Sequence, residues 1–117
     1  MMPTDAELVA GTLRGSQEAF RTLVVRFERP VYTLILRMVH DPTAAEDLAQ
    51  EVFVKAYRHL AAYDPTRKFA SWLFKVAHNT TIDHLRRTSL ETVPLAAGHA
   101  GSGEGGEGGD LLAVLAD

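Results

Sequence analysis

A chain of 117 residues that is 46% hydrophobic and 23% charged has the composition of one ordinary globular domain, not of a disordered or fibrous chain. It contains no cysteine, which excludes a disulfide framework and a thiolate metal site; no apolar run approaches the roughly 20 residues of a spanning helix, and acids precede any apolar stretch at the N-terminus, so we expect a soluble, cytoplasmic protein. The net charge of −3 hides an uneven distribution, with −2 over residues 1–57, +4 over 58–90 and −5 over 91–117, so the cations that an anionic partner needs lie in one third of the chain.

Thr4-Asp5-Ala6-Glu7 is a capping-box pattern, in which a hydroxyl takes the N3 amide and the N3 carboxylate reaches back to the N-cap amide. It predicts a short first helix with Leu8, Val9 and Leu13 on its apolar side, and Gly15 is placed to stop that helix in the left-handed conformation. Ser16 caps a second helix, in which Phe20, Leu23, Val24, Phe27, Val31, Leu34, Ile35 and Met38 recur at three- and four-residue steps. Pro30 falls inside this pattern and should bend the helix instead of ending it, because the apolar face resumes in phase. Asp41-Pro42 reads as a turn and the entry to a third helix that reaches about Leu60.

Tyr63 to Lys68 then form a short loop around Pro65. A fourth helix follows from about Phe69 to Arg87, with Leu73, Val76, Ala77 and Thr80 along one side and basic groups toward its C-terminal end, where the helix dipole favours them. Four helices and no strand pattern predict an all-α fold, a compact bundle occupying residues 1–92. Residues 93–117 have the glycine-rich composition of a flexible linker, and the closing Leu111, Leu112, Val114 and Leu115 are too few to hold a helix alone. A linker leading to so little reads as a chain cut short.

Two stretches carry candidate chemistry. Glu46, Asp47, Gln50 and Glu51 make an acidic and amide patch in the first turns of the third helix, where the dipole favours negative charge. That is compatible with a solvated face. Phe53, however, lies where the spacing of Ala45, Leu48, Val52, Ala56 and Leu60 does not require burial, and an exposed aromatic beside such a patch suits a protein contact. The second stretch interleaves Tyr63, Phe69, Trp72 and Phe74 with Arg67, Lys68, Lys75, Arg86 and Arg87, and adds Asn79 and Asp83. Cations neutralise phosphates, aromatic faces stack on unpaired bases, and asparagine can pair with a base edge, so the combination suits single-stranded nucleic acid. The helical spacing of Trp72, Asn79 and Asp83 can put them on one face. The plainer alternative is that Phe69, Trp72 and Leu73 are core and the cations are surface.

Enzyme readings find little support. His40, His59, His78, His84 and His99 form no pair at metal-binding spacing, no glycine-flanked serine turn occurs, and the glycines of 101–109 lack the lysine of a phosphate-binding loop. We assign no catalytic residue, metal or cofactor; a metal-dependent hydrolase on His78, Asp83 and His84 is the remaining enzyme reading.

Asp47-Leu48-Ala49-Gln50-Glu51-Val52-Phe53, continuing through Lys55-Ala56-Tyr57-Arg58, closely resembles region 2.2 of bacterial sigma factors of the extracytoplasmic-function group. Phe69-Ala70-Ser71-Trp72-Leu73-Phe74-Lys75-Val76-Ala77-His78-Asn79, then Asp83 and Arg86-Arg87, resembles that family's promoter-melting and minus-ten-reading segments, and Ser16 to Phe27 its region 2.1. The resemblance spans about residues 4–90. It implies a transcription initiation factor whose Asp47, Gln50, Glu51, Phe53 and Val54 contact the clamp helices of the β′ subunit of core RNA polymerase. By the same resemblance, the loop from Tyr63 through Arg67 and Lys68 to Phe69 holds, with Asn79, a base flipped from the non-template strand of promoter DNA. Lys75, Arg86 and Arg87 would hold phosphates, Ser71 and Asp83 belong to the same DNA-facing motif, and Trp72 looks more like helix packing beside the groove than a base platform. The family also implies an anti-sigma factor as partner and a following helix-turn-helix domain that reads the minus-thirty-five element, without which promoter recognition should be weak. The alternative from another class is a helical protein–protein adaptor whose basic segment docks an acidic partner.

Overall fold

The computed structural model describes residues 2–92, residues 90–92 by their helical backbone alone. Within it lie α1 (Asp5–Leu13), α2 (Gln17–Val39), α3 (Pro42–His59), a 3-10 turn (Leu60–Ala62) and α4 (Phe69–Thr92). The linker expected over 93–117, with its Leu111–Leu115 stretch, lies outside the described residues.

Local chemistry sets the helix ends. Thr4 Oγ1 accepts from the Glu7 amide at 3.1 Å and Glu7 Oε1 accepts from the Thr4 amide at 2.9 Å, so the capping box is complete. At the other end of α1, Gly15 takes φ +103°, while the Ser16 amide donates to Gly11 O at 3.0 Å and the Gly15 amide to Thr12 O at 2.9 Å. These paired bonds close a Schellman turn that only a residue tolerant of positive φ can make cheaply. Ser16 Oγ then caps α2 through the Ala19 amide at 3.1 Å, and Asp41 Oδ1 caps α3 through the Thr43 and Ala44 amides at 3.0 and 3.4 Å.

Helix α2 is the spine. Its Leu23, Phe27, Val31 and Ile35 recur every four residues and are buried, and they meet Ala45, Leu48, Val52 and Ala56 of α3 and Leu73, Val76 and Ala77 of α4. Pro30 lies inside α2 without ending it, on the exposed side, where water can take the carbonyl that loses its helical donor. The amphipathic α1 packs on α2 and on the 3-10 turn. It is anchored by Arg26 of α2, whose guanidinium donates to Asp5 Oδ1 at 2.7 Å and to the Pro3 carbonyl at 3.0 Å. Two threonines deep in α4, Thr80 and Thr81, are buried but satisfied, each hydroxyl donating to the carbonyl four residues back, Val76 and Ala77, at 2.7 and 2.8 Å.

Two sequence expectations need correction, at Leu13 and at the end of α4. Leu13 is 53% exposed, and Thr12 takes the buried place instead, its hydroxyl returned to Leu8 O at 2.8 Å; at 100° per residue Thr12 falls between Leu8 and Val9, and Leu13 falls outside that arc. Helix α3 ends at His59, as expected to within one residue, and the buried Leu60 opens the 3-10 turn that follows. Helix α4 continues to Thr92, past Arg87, because Thr-Ser-Leu-Glu-Thr contains no breaker before Pro94 and the basic pair marks an exposed patch, not an end. Among the described residues no helix is long and apolar enough to cross a membrane.

Leu73, with no exposed surface, sits where α2, α3 and α4 meet, so Leu73→Ala should destabilise the domain by about 2–5 kcal/mol, whereas Leu13→Ala should stay within about 0.5 kcal/mol of the parent. Chemical denaturation of the two variants side by side checks both.

Candidate functional site

Two surfaces gather the polar residues that the core leaves outside. On the first, α2 and α3 border a groove of about 800 Å³ lined by Val24, Glu28, Arg29 and Tyr32 from α2 and by Glu46, Ala49, Gln50 and Phe53 from α3. Gln50 is exposed in its wall and Asp47 is exposed one turn earlier, while Val54 is 47% exposed. Glu51 is partly covered and paired with Lys55, Oε2 to Nζ at 3.2 Å. Phe53 differs from its expected exposure: it is half-buried, packed against the core and open to the groove, because it stands on the flank of the arc formed by Ala45, Leu48, Val52 and Ala56. The groove is therefore an apolar floor with an amide and charges of both signs at its rim.

The α2 half of this groove was not legible as a site in the sequence. Val24, Glu28 and Tyr32 follow four-residue steps beside the core stripe, and that spacing was the available signal. Tyr57, 52% exposed, stacks edge-on against Phe20 at a ring separation of 5.0 Å and extends the same side of α3. Lys55 is another residue the sequence did not single out. Besides meeting Glu51, its Nζ donates to Thr80 Oγ1 at 3.4 Å, tying α3 to α4 next to Asn79.

The second surface is built by the Tyr63–Lys68 loop and the outer face of α4. Tyr63, Phe69 and Trp72 do not point outward: they are 7%, 4% and 6% exposed and pack on one another at ring separations of 5.4–5.7 Å, with Phe27 of α2 edge-on to Phe69 at 5.5 Å. This corrects the reading of these aromatics as stacking platforms for bases. As arranged they are core, in keeping with the packing role implied for Trp72, whose buried Nε1 has no hydrogen-bond partner among the described residues. Asp83 is buried as well, at 6% exposure, while Phe74 is half-buried and reaches Phe27 at 6.5 Å.

What remains on the outside of α4 is polar and cationic. Ser71, Lys75, His78 and Arg86 are exposed along one helical stripe, Asn79 is half-buried at its edge next to the buried Trp72 and Asp83, and Arg87 is exposed one residue on. Arg67 and Lys68, both exposed, stand at the head of this stripe, where the Trp72 amide donates to Lys68 O at 3.3 Å and starts the helix. The shared face expected for Trp72, Asn79 and Asp83 is thus the border of the buried arc, and Asn79 alone of the three reaches solvent. No group of three side chains able to hold a metal ion gathers among the described residues.

The loop itself is closed by its own side chains. Asp64 Oδ1 accepts from the Thr66 amide at 2.9 Å and from the Thr66 hydroxyl at 2.8 Å, and its Oδ2 lies 3.8 Å from Arg67 Nε. The Arg67 amide donates to Asp64 O at 3.0 Å, and the Tyr63 hydroxyl donates to Arg67 O. These contacts leave their mark on ionisation. The Thr66 amide, then the Thr66 hydroxyl and the Arg67 cation, hold the Asp64 carboxyl below the usual carboxylate range, whereas burial, reinforced by Asp5 and Asp64, pushes the Tyr63 phenol up.

The Sigma-70 region 2 family model matches residues 23–91. The chain is 42% identical over 81 residues to the RNA polymerase sigma-H factor of Pseudomonas aeruginosa, covering 69% of this chain and 42% of that protein. It is 40% identical over 74 residues to the ECF RNA polymerase sigma factor SigW of Bacillus subtilis, covering 63% of this chain and 40% of that one, so it spans about two fifths of the length of these relatives. Among solved structures it is similar, with a TM-score of 0.72 and 39% identity over 76% of this chain and 93% of the other, to an engineered region 2 of sigmaE determined by NMR in complex with GTAAAA.

The depressed Asp64 value fixes a sign. Its carboxylate contributes to loop closure above the ordinary aspartate value of about 3.9, and that contribution is lost as pH falls through the lower folded value. An NMR acid titration that follows the Thr66 amide should show a midpoint below that of an ordinary aspartate, and Asp64→Asn should abolish the titration while leaving the helical signals in place.

Proposed function

Since the chain belongs to the Sigma-70 region 2 family, we propose that it is the part of an extracytoplasmic-function transcription initiation factor that docks on the β′ clamp helices of core RNA polymerase and reads the minus-ten promoter element as a single strand. This is a binding function, without a catalytic residue or cofactor, exercised in the cytoplasm, and an anti-sigma factor covering the same surfaces is the further partner.

The observation that carries the reading is the stripe of Ser71, Lys75, Asn79 and Arg86 beside a closed cationic loop, on a fold whose solved relative, a sigmaE region 2, is held with GTAAAA. Each cation has a task on a phosphate backbone, since neutralising a phosphate releases a counterion and makes binding salt-dependent. Asn79 has a different one. It is the polar side chain at the border of stripe and core that carries both a donor and an acceptor, which a base edge requires and a phosphate does not. Reading that edge demands a base already unstacked, at a cost of a few kcal/mol, so pairing Asn79 with a preformed loop suits melting as well as recognition.

The α2–α3 groove supports the docking half. An apolar floor at Phe53 with Gln50 in its wall, and Asp47 and Val54 exposed nearby on α3, has the make-up of a protein contact with a hydrophobic centre and polar rim. A helix of the β′ clamp would lie along it, Gln50 and Asp47 taking its polar groups and Val54 extending the apolar contact.

In a titration against a β′ clamp-helix fragment, the wild type should bind and a Gln50→Ala, Glu51→Ala double variant of equal helicity should not. With fluorescent single-stranded GTAAAA, Arg86→Ala should reduce the slope of log K against log salt by about 0.7, and Asn79→Ala should weaken discrimination between bases by about 1–3 kcal/mol with the slope unchanged. A chain that binds the β′ fragment and no strand is the adaptor of the alternative reading.

A further inference from the structure

We infer that Tyr63 and Asp64 are positioning residues for base selection: neither touches DNA, and together they fix the main chain of Arg67 so that the loop and Asn79 accept one base in preference to the others. The inference rests on the single-strand reading proposed above.

The main chain of Arg67 is held from both sides. Its amide donates to Asp64 O at 3.0 Å and its carbonyl accepts from the Tyr63 hydroxyl. Asp64 adds a second closure, taking both the amide and the hydroxyl of Thr66. The foot of the loop is fixed as well, with the Tyr63 amide on Leu60 O at 3.0 Å and the Tyr63 ring against Phe69 and Trp72 at 5.6 and 5.4 Å. The Arg67 side chain, by contrast, is 59% exposed and meets Asp64 Oδ2 only at 3.8 Å, a distance at which an exposed pair contributes little. A fixed backbone and an exposed, loosely paired guanidinium therefore coexist at one residue.

This arrangement bears on selectivity more than on affinity. A segment of six residues that had to order on binding would spend backbone entropy at every encounter, whatever the base. Ordered in advance, it presents a fixed wall. A base that fits the wall binds at no ordering cost, and one that does not must break the closures. Tyr63 suits a pure test because phenylalanine keeps the ring that packs on Phe69 and Trp72 and removes only the hydroxyl.

The experiment uses the full chain, single-stranded GTAAAA and each of its single-base variants. The wild type should discriminate at one or more positions. Tyr63→Phe should bind the preferred strand about two- to tenfold more weakly, flatten discrimination at one position, and keep the wild-type salt slope, and Asp64→Asn should act in the same direction. Without DNA, both variants should speed hydrogen exchange of the Thr66 and Arg67 amides. A Tyr63→Phe profile that superimposes on the wild type, or a uniform loss with a shallower salt slope, overturns the inference, as does exchange unchanged from the parent. A wild type that binds none of the strands instead overturns the functional reading beneath it, while the exchange result still reports on the loop.

Discussion

Phe27, Tyr63, Phe69 and Trp72 meet in one cluster with ring separations of 5.4–5.7 Å, joining the spine helix α2 to the loop and to the first turns of α4. The placement of the outer surface depends on this junction. Aromatic pairs in edge-on and tilted arrangements stabilise beyond their buried area and resist sliding, because each ring fills a shaped space. Once Phe69, Trp72 and Leu73 face inward, the helical period sends Ser71, Lys75, Asn79 and Arg86 outward without further instruction. The inward and outward residues of that motif are thus one device, with packing setting the direction and the polar stripe using it.

The same logic distributes charge. Residues 58–90 carry the +4 excess, and exposed Arg67, Lys68, Lys75, Arg86 and Arg87 put it along the loop and α4. Of the acidic side chains of α3, Glu46 lines the groove, Asp47 is exposed one residue on and Glu51 pairs with Lys55. A field that is cationic along one strip and mixed along another favours an anion at the strip despite a net charge of −3. Lys55 is the exception that joins the two regions. Its side chain is 17% exposed, and it is spent internally on Glu51 and Thr80, where a cation with partners costs less than one buried alone.

The features legible in the sequence are those decided within a few residues. The Thr4 capping box, the Gly15 stop, the Ser16 and Asp41 caps and the four-residue stripe of α2 depend on neighbours in the chain, and all appear where their patterns stand. Legibility falls where a third element decides the outcome. An aromatic residue among cations reads the same whether it faces a base or a core, and it was the approach of α2 through Phe27 that turned Tyr63, Phe69 and Trp72 inward. Phe53 is half-buried because α2 supplies the other wall of its groove. Lys55 reads as a surface lysine until α4 brings Thr80 within reach. On the candidate site, the polar members of the α4 stripe could be picked out by residue type, whereas the α2 contribution to the groove could not, since Val24 belongs equally well to a core pattern.

On the single-strand function proposed above, a rigid support is what a surface of this size requires. Holding an unstacked base costs a few kcal/mol before any contact is made, and immobilising a long side chain at an interface costs about 0.5–1.5 kcal/mol more. A stripe with few cations and one amide leaves little margin for ordering a loop as well. On that proposal, the self-closed turn at Asp64–Arg67 would remove that expense from the binding step and transfer it to folding. There it is offset by the burial of Tyr63, Phe69 and Trp72, which the domain needs for its own stability in any case. The buried Trp72 Nε1 has no hydrogen-bond partner among the described residues. An indole in this place nonetheless offers the largest ring available to span from Tyr63 to Phe69, and the breadth of that contact keeps loop and helix in a single register.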